Sequence, residues 1–328
     1  MEKILPWHDT LWSRILQMAA QDRIPHALLL CGPQGMGKTL FGQRLIDYLL
    51  CQSPSTQGQA CGQCKSCTLL KTGNHPDLKT VIPTNTSQTI TVDQIRELIQ
   101  FCTLTANYNR YQIVTIAPAE AMNRNAANSL LKLLEEPPSD TLILLLSHRP
   151  MALMATIRSR CQRLDFSRPE LAILKHWLNT KLPNITTTDL LLNLSNQAPL
   201  AALSLVETEG MKKRQALFSD LNQLLNGKVD PIKIVENWQA LDPPHLLSWL
   251  ISWTMDLIRF ASTQRTVYIL NQDQLELLQH WGKQFSLSHL YQLLDLQQET
   301  LRLIMSSSTV RLQGLLETIA ITWITHRK

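Results

Sequence analysis

Residues 26–39 read H-A-L-L-L-C-G-P-Q-G-M-G-K-T. The first six form an apolar run of strand length, and the last eight satisfy the pattern GxxxxGK[ST]. From Thr39 onward, Leu40, Phe41, Leu45, Ile46, Leu49 and Leu50 recur at helical spacing. Strand, glycine-rich turn and helix is the setting in which such a loop presents successive backbone N–H groups to phosphate oxygens. Gly32, Gly35 and Gly37 shape the loop, Lys38 would reach the outer phosphates, and Thr39 would offer its hydroxyl to Mg²⁺. The expected ligand is ATP or ADP with Mg²⁺. An ordinary glycine-rich turn is the plainer reading, but it leaves the eight matching positions and both flanks unexplained.

Hydrolysis asks for more than this loop. A carboxylate at the end of a neighbouring strand must hold the metal, and another group must orient the attacking water. Residues 113–123 read I-V-T-I-A-P-A-E-A-M-N, with Ala117 and Pro118 where an acidic pair would stand. The sequence therefore describes a loop built to hold nucleotide with little or no turnover of its own.

Seven cysteines are unevenly placed. Cys61, Cys64 and Cys67 form C-x-x-C-x-x-C, and Cys51 lies ten residues upstream of Cys61. Two thiolates separated by two residues can grip one ion from a tight turn, and four complete the tetrahedral shell of a structural Zn²⁺ site. Gly58, Gly62 and Gly73, with Ser53, Pro54 and Ser55, make this segment loop-like and in need of an internal staple. A disulfide suits a reducing compartment poorly, and three cysteines in register argue against a redox dithiol. Cys31, Cys102 and Cys161 sit in apolar surroundings and read as small buried residues.

The chain has 328 residues, with 44% hydrophobic and 17% charged residues and a net charge of +5. That length implies two or three domains with a sizeable core, and the low charge suggests that partners cover part of the surface. Mild basicity permits nucleic-acid contact, but no long Lys/Arg run demands it. The opening residues, MEKILPWHDTLW, lack the layout of a signal peptide, and the apolar stretch from Trp249 to Phe260 is interrupted by Ser252, Asp256 and Arg259. A cytoplasmic protein without membrane contact is expected.

Leu78–Pro83, Gln112–Ala117 and Thr141–Leu146 read as strands, with helices over residues 92–105 and 125–136, the latter stopped by Pro137-Pro138. Such alternation implies an α/β domain, a parallel sheet with helices on both faces and the loop at the carboxyl ends of its strands. After Phe166 the pattern is helical throughout and carries six of the eight tryptophans. The division expected is residues 1–166, a loop-bearing domain with the four-cysteine module at about 51–67; residues 167–207, a small helical lid; and residues 208–328, an all-α collar. The tryptophan-rich helices read as core or as an oligomerisation surface.

Two further stretches, N-S-L-L-K-L-L-E-E-P-P at Asn128–Pro138 and I-R-S-R-C at Ile157–Cys161, complete a pattern that resembles the clamp-loader branch of the AAA+ superfamily. More narrowly, it is similar to the non-motor subunits of the clamp loader of bacterial DNA polymerase III. The resemblance covers nearly the whole chain, including the four-cysteine insertion. It implies a P-loop AAA+ domain, a lid and a collar, and a part in loading the sliding clamp onto primed DNA during replication beside motor ATPase subunits and a delta subunit. It also implies membership of the DNA-directed DNA polymerase (nucleotidyltransferase) holoenzyme. In the family, the arginine of S-R-C enters a neighbouring subunit's ATP site; here it is Arg160. Motor subunits carry Asp-Glu where this chain has Ala117 and Pro118, and an arginine in the lid where this chain has Leu200. Several non-motor relatives have a degraded phosphate loop, whereas this one is intact.

Two other readings remain. An active motor subunit would need a metal carboxylate, for which Glu120 and Asp140 are the nearest acids, and steady ATP turnover by the isolated chain would favour it. A zinc-bearing nucleic-acid-binding module with ATP as effector would show tight, salt-sensitive DNA binding. The chain has no basic stripe interleaved with aromatics to support the latter.

Overall fold

The computed structural model describes residues 4–84, 89–108, 110–138, 140–183, 187–306 and 311–325, without the side chains of residues 305 and 306. Its chain divides into two compact units, Met1–Leu174 and Lys175–Lys328.

The first unit is a five-stranded, all-parallel sheet in the order β2-β3-β4-β1-β5. The strands are β1 (Ala27–Cys31), β2 (Leu78–Val81), β3 (Gln112–Ile116), β4 (Thr141–Ser147) and β5 (Gln162–Asp165). Its helices are α1 (Asp9–Ala20), α2 (Lys38–Leu50), α3 (Lys65–Lys71), α4 (Val92–Cys102), α5 (Arg124–Glu135) and α6 (Ala155–Arg158). Every residue of β1, β3 and β4 is buried, as unbroken apolar runs covered on both faces require. Alternation assigns the faces: Leu29 and Leu145 pack with Ile95 and Leu98 of α4 and Leu130 of α5. On the opposite face, Gly42 of α2 approaches Leu30 and Leu144 so closely that a Cβ there would come within 3.2 Å of Leu144. Each fully buried leucine contributes about 1.5–3 kcal/mol.

Helix ends follow local chemistry. Thr91 and Gln94 form a reciprocal capping box at the start of α4, and the Asn123 side chain accepts from Ala126 N at the start of α5. Pro137 stops α5 one residue after Glu136, since the residue before a proline is pushed out of helical geometry. The expected strands and helices are all present, with ends moved by up to three residues. Between β4 and β5 the chain makes a 3₁₀ turn, Pro150–Ala152, and then the single-turn α6.

The second unit is all helical among the described residues. The chain passes from α7 (Leu171–Lys181), which crosses the unit boundary, through α8 (Thr188–Leu194), α9 (Pro199–Glu207), α10 (Gly210–Leu225), α11 (Pro231–Trp238) and α12 (Pro243–Thr263). It ends with α13 (Leu275–Gln284), α14 (Leu287–Ser306) and α15 (Leu312–Ile324). All six tryptophans of this half are buried within it, the most open being 7% exposed. They are core of this unit, so their abundance is no argument for an oligomerisation surface. Between α10 and α12 runs a buried polar network. Asp256, fully buried, accepts from the backbone N–H groups of Leu270 and Asn271 and pairs with Arg259, while buried Arg214 reaches Asn271 and Asp273. No helix among the described residues is long and apolar enough to cross a membrane.

Candidate functional site

The phosphate loop stands at the carboxyl end of β1, the strand between β4 and β5. Gly35 and Gly37 adopt φ of +82° and +87°, backbone that favours glycine. Gly37 has a second reason to be glycine: a Cβ would lie 2.4 Å from Leu5 and 2.8 Å from the His8 ring. The segment before α1 thus braces the loop. Trp7 Nε1 donates to Met36 O at 3.0 Å, and His8 Nε2 donates to the same carbonyl at 3.0 Å. His8 is buried between the edges of Phe41 and Phe166, and burial pulls its pKa below the ordinary 6.5. The bracing by Trp7 and His8 was not legible from the motif, although the amphipathic pattern of D-T-L-W-S-R-I-L could have revealed α1.

Lys38 turns onto its own loop, its Nζ donating to Gly32 O at 2.6 Å and Pro33 O at 2.7 Å. Burial draws its pKa down to about 8, against the opposing pull of Glu120. Thr39 follows it on the exposed side of α2. Phosphate oxygens entering the loop would replace the two carbonyls as partners of the ammonium.

Ala117 and Pro118 directly follow β3, and the nearby Glu120 is already engaged: its Oε1 accepts from His148 N at 3.0 Å and Arg149 N at 3.1 Å. The carboxylate thus ties the turn after β3 to the turn after β4, while Oε2 is buried without a hydrogen-bond partner among the described residues. Asp140 precedes β4, at the opposite end of the sheet from the loop, and pairs there with Arg110 at 2.6 Å. Neither acid stands at the end of β3 itself.

Cys51 caps the end of α2, Cys61 lies in the loop that follows, Cys64 caps α3 and Cys67 sits in its first turn. Their four Sγ atoms lie within 4.8 Å of one another. The Cys61 and Cys67 sulfurs are 3.9 Å apart, close to the edge of about 3.8 Å that a tetrahedron with metal–sulfur bonds near 2.3 Å requires. Backbone N–H groups point at the sulfurs, from Cys61 to Cys51 at 3.2 Å, from Cys64 to Cys61 at 3.3 Å and from Cys67 to Cys64 at 3.4 Å. Such donors stabilise thiolate. The N–H groups of Gln63 and Cys64 lower the Cys61 thiol to about 6, whereas burial raises Cys67 to about 12. Four thiols in this spacing could hold a metal ion. Of the other three cysteines, Cys31 and Cys102 are buried as expected, whereas Cys161 is only half-buried.

Arg160 leaves the turn that ends α6. Its Nη1 donates to Thr156 O at 3.0 Å, and its Nη2 lies 2.5 Å from Glu135 Oε1. The guanidinium side chain is 36% exposed.

Two family models match the chain: "DNA polymerase III, delta subunit" over residues 7–170 and "DNA polymerase III, delta subunit, C terminal" over residues 208–325. A DNA polymerase III subunit delta' of Pseudomonas aeruginosa is 34% identical over 325 residues, 98% of both chains. Its namesakes of Yersinia pestis and Escherichia coli are 35% and 31% identical over 84% and 77% of this chain and 82% and 76% of their own. Among solved structures, a gamma subunit-related protein of Thermotoga maritima overlaps with a TM-score of 0.49 at 15% identity, covering 95% of this chain and 98% of its own. Identity at this level over the full length, with both family models in register with the phosphate loop and the helical half, means that the chain belongs to the delta' subunit family of DNA polymerase III.

Proposed function

We propose that this chain is a non-motor subunit of the DNA polymerase III clamp loader. It acts as a fixed arm beside motor ATPase subunits and a delta subunit in a ring-like assembly that opens the sliding clamp and loads it onto primed DNA. Residues 1–166 form its AAA+ domain, 167–207 a small lid and 208–328 the collar through which it assembles. The observation that carries this reading is the end of β3. Ala117 and Pro118 follow the strand, and one oxygen of the nearest acid, Glu120, already holds the turn after β4. A motor subunit needs a carboxylate free for Mg²⁺ at that strand end. Gly32, Gly35, Gly37, Lys38 and Thr39 would hold ATP or ADP without spending it.

Its catalytic contribution is Arg160, offered to the ATP site of a neighbour. A guanidinium there stabilises charge that develops on the transferred phosphoryl group. The residue's partial exposure on a surface turn supports the reading, since a side chain that serves another subunit must be able to leave its own. Cys51, Cys61, Cys64 and Cys67 hold one Zn²⁺; a closed four-thiolate shell leaves no open coordination position, so the ion's role is structural.

The test is Arg160→Ala in the reconstituted complex. The variant chain is expected to fold and assemble, while clamp- and DNA-dependent ATP hydrolysis at one neighbouring site falls at least tenfold. Arg160→Lys restores part of it, because an ammonium keeps the charge but not the planar fork. Equal ATPase and clamp loading with alanine at this position would remove the trans-acting role.

A further inference from the structure

The two sequence signatures of this chain, N-S-L-L-K-L-L-E-E-P-P and I-R-S-R-C, meet at one ion pair. Glu135 Oε1 lies 2.5 Å from Arg160 Nη2, across the packing of α5 on α6. We infer that Glu135 is the positioning residue for Arg160, holding its guanidinium oriented for the phosphate of a neighbouring subunit.

Three observations carry this. The first is that Glu135 has the wrong sign for its place. It ends α5, where the backbone dipole presents its negative end, and a second acid, Glu136, follows it directly. Intrinsic helix preferences favour a cation there, and Arg160 supplies one from outside the helix. The second is the anchoring of Arg160 at both terminal nitrogens, by the Thr156 carbonyl on Nη1 and by Glu135 on Nη2. One anchor alone would leave the planar fork free to swing about its stem. Two fix its plane, and the guanidinium's remaining N–H groups stay available to phosphate oxygens. The third is exposure: at 36% and 49%, both partners remain in reach of solvent, where an ion pair adds little to folding stability. A pair of small stabilising value that organises a long, rotamer-rich cation reduces the ordering that a neighbour's site must otherwise impose.

The inference rests on the trans-acting role of Arg160, and the experiment separates the two. Glu135→Gln and Glu135→Ala are measured in the reconstituted complex beside Arg160→Ala and the double variants, with the remaining motor sites silenced. Glu135→Gln is expected to lower kcat about three- to tenfold, with little change in KM for ATP, since orientation at the transition state is lost and ground-state nucleotide binding is not. In the Arg160→Ala background the same substitution should have no further effect, a non-additivity that a merely structural role would not produce. Unaltered thermal stability and assembly of the Glu135 variants exclude a folding defect. If Arg160→Ala lowers turnover and the Glu135 variants do not, the positioning role is wrong and the arginine's role stands. A rise in turnover with Glu135→Gln would also overturn it, because the pair would then be a restraint. Unchanged turnover in Arg160→Ala removes both.

Discussion

The Ser66 hydroxyl and the His75 imidazole lie 2.8 Å apart, both buried, and they tie the end of the four-cysteine module to the segment that leads into β2. Asp77 N–H donates to His75 Nδ1 at 3.1 Å, which places the ring proton on Nε2, the nitrogen that faces Ser66. The serine hydroxyl in turn donates to the carbonyl of Leu50. Leu50 precedes Cys51 and Ser66 precedes Cys67, so this relay fixes the relative position of two of the four sulfurs. Asp77, in turn, accepts from Asn107 N at 2.7 Å and Tyr108 N at 2.9 Å, which fastens the relay to the segment leading into β3.

The purified chain is expected to carry one Zn²⁺. Cys64→Ser should release it and loosen residues 51–67, since metal-binding energy in such modules is folding energy. Ser66→Ala should keep the ion but weaken its hold severalfold, because the link between Leu50 and His75 that positions Cys51 and Cys67 is lost. Metal analysis and competition with a chromophoric chelator read both; full zinc content in Cys64→Ser would exclude the four-thiolate site.

Isothermal calorimetry should detect ATP or ADP binding by the wild-type chain. Lys38→Ala should weaken it at least tenfold, about 1.4 kcal/mol, by removing the ammonium that now rests on Gly32 O and Pro33 O. Turnover by the isolated chain should stay near background. Silence in calorimetry would mark the loop as a relic of an ancestral nucleotide site, and robust hydrolysis would favour a motor subunit.

Stability should fall on acidification. His8, His75 and His148 all have folded pKa values lowered from 6.5, in each case mainly by burial. The unfolded chain therefore binds more protons, so their stabilising contribution is complete above pH about 6.5 and is lost as pH falls from there through the lowered folded values. The melting temperature should drop between pH 7.5 and 5.5. His8→Gln should lower stability at neutral pH while reducing the slope below it; an unchanged slope would show that His8 is not among the groups that titrate.

Asp256→Ala should be the most damaging polar substitution in the helical half. It strands Arg259 and leaves the Leu270 and Asn271 N–H groups without their acceptor inside the fold. Breaking a buried, hydrogen-bonded charge network costs about 3–5 kcal/mol, readable as a shift in urea midpoint. A change below about 1 kcal/mol would mean that water replaces the carboxylate.

The sequence by itself determined what lies within a few residues or one helical turn. The loop at Gly32–Thr39 could be read because its strand, glycines and helix are contiguous, and the cysteine cluster because a tight turn brings thiols two residues apart to one point. The parallel sheet was legible in its apolar runs, since burial on both faces leaves no polar alternation. Tertiary structure alone decided which distant groups meet. Glu120 spans from the end of β3 to the turn after β4 because those strands are neighbours in the sheet, a fact of strand order that no spacing encodes. Trp7 and His8 reach Met36 only because α1 packs back beside the loop, and the six tryptophans proved to be core because the helices close over them. Glu135 and Arg160 are 25 positions apart, each in a motif legible by itself. Their pairing arises where the last turn of α5 passes α6, and local propensity, which would put a cation at that helix end, gives no hint that it comes from another element.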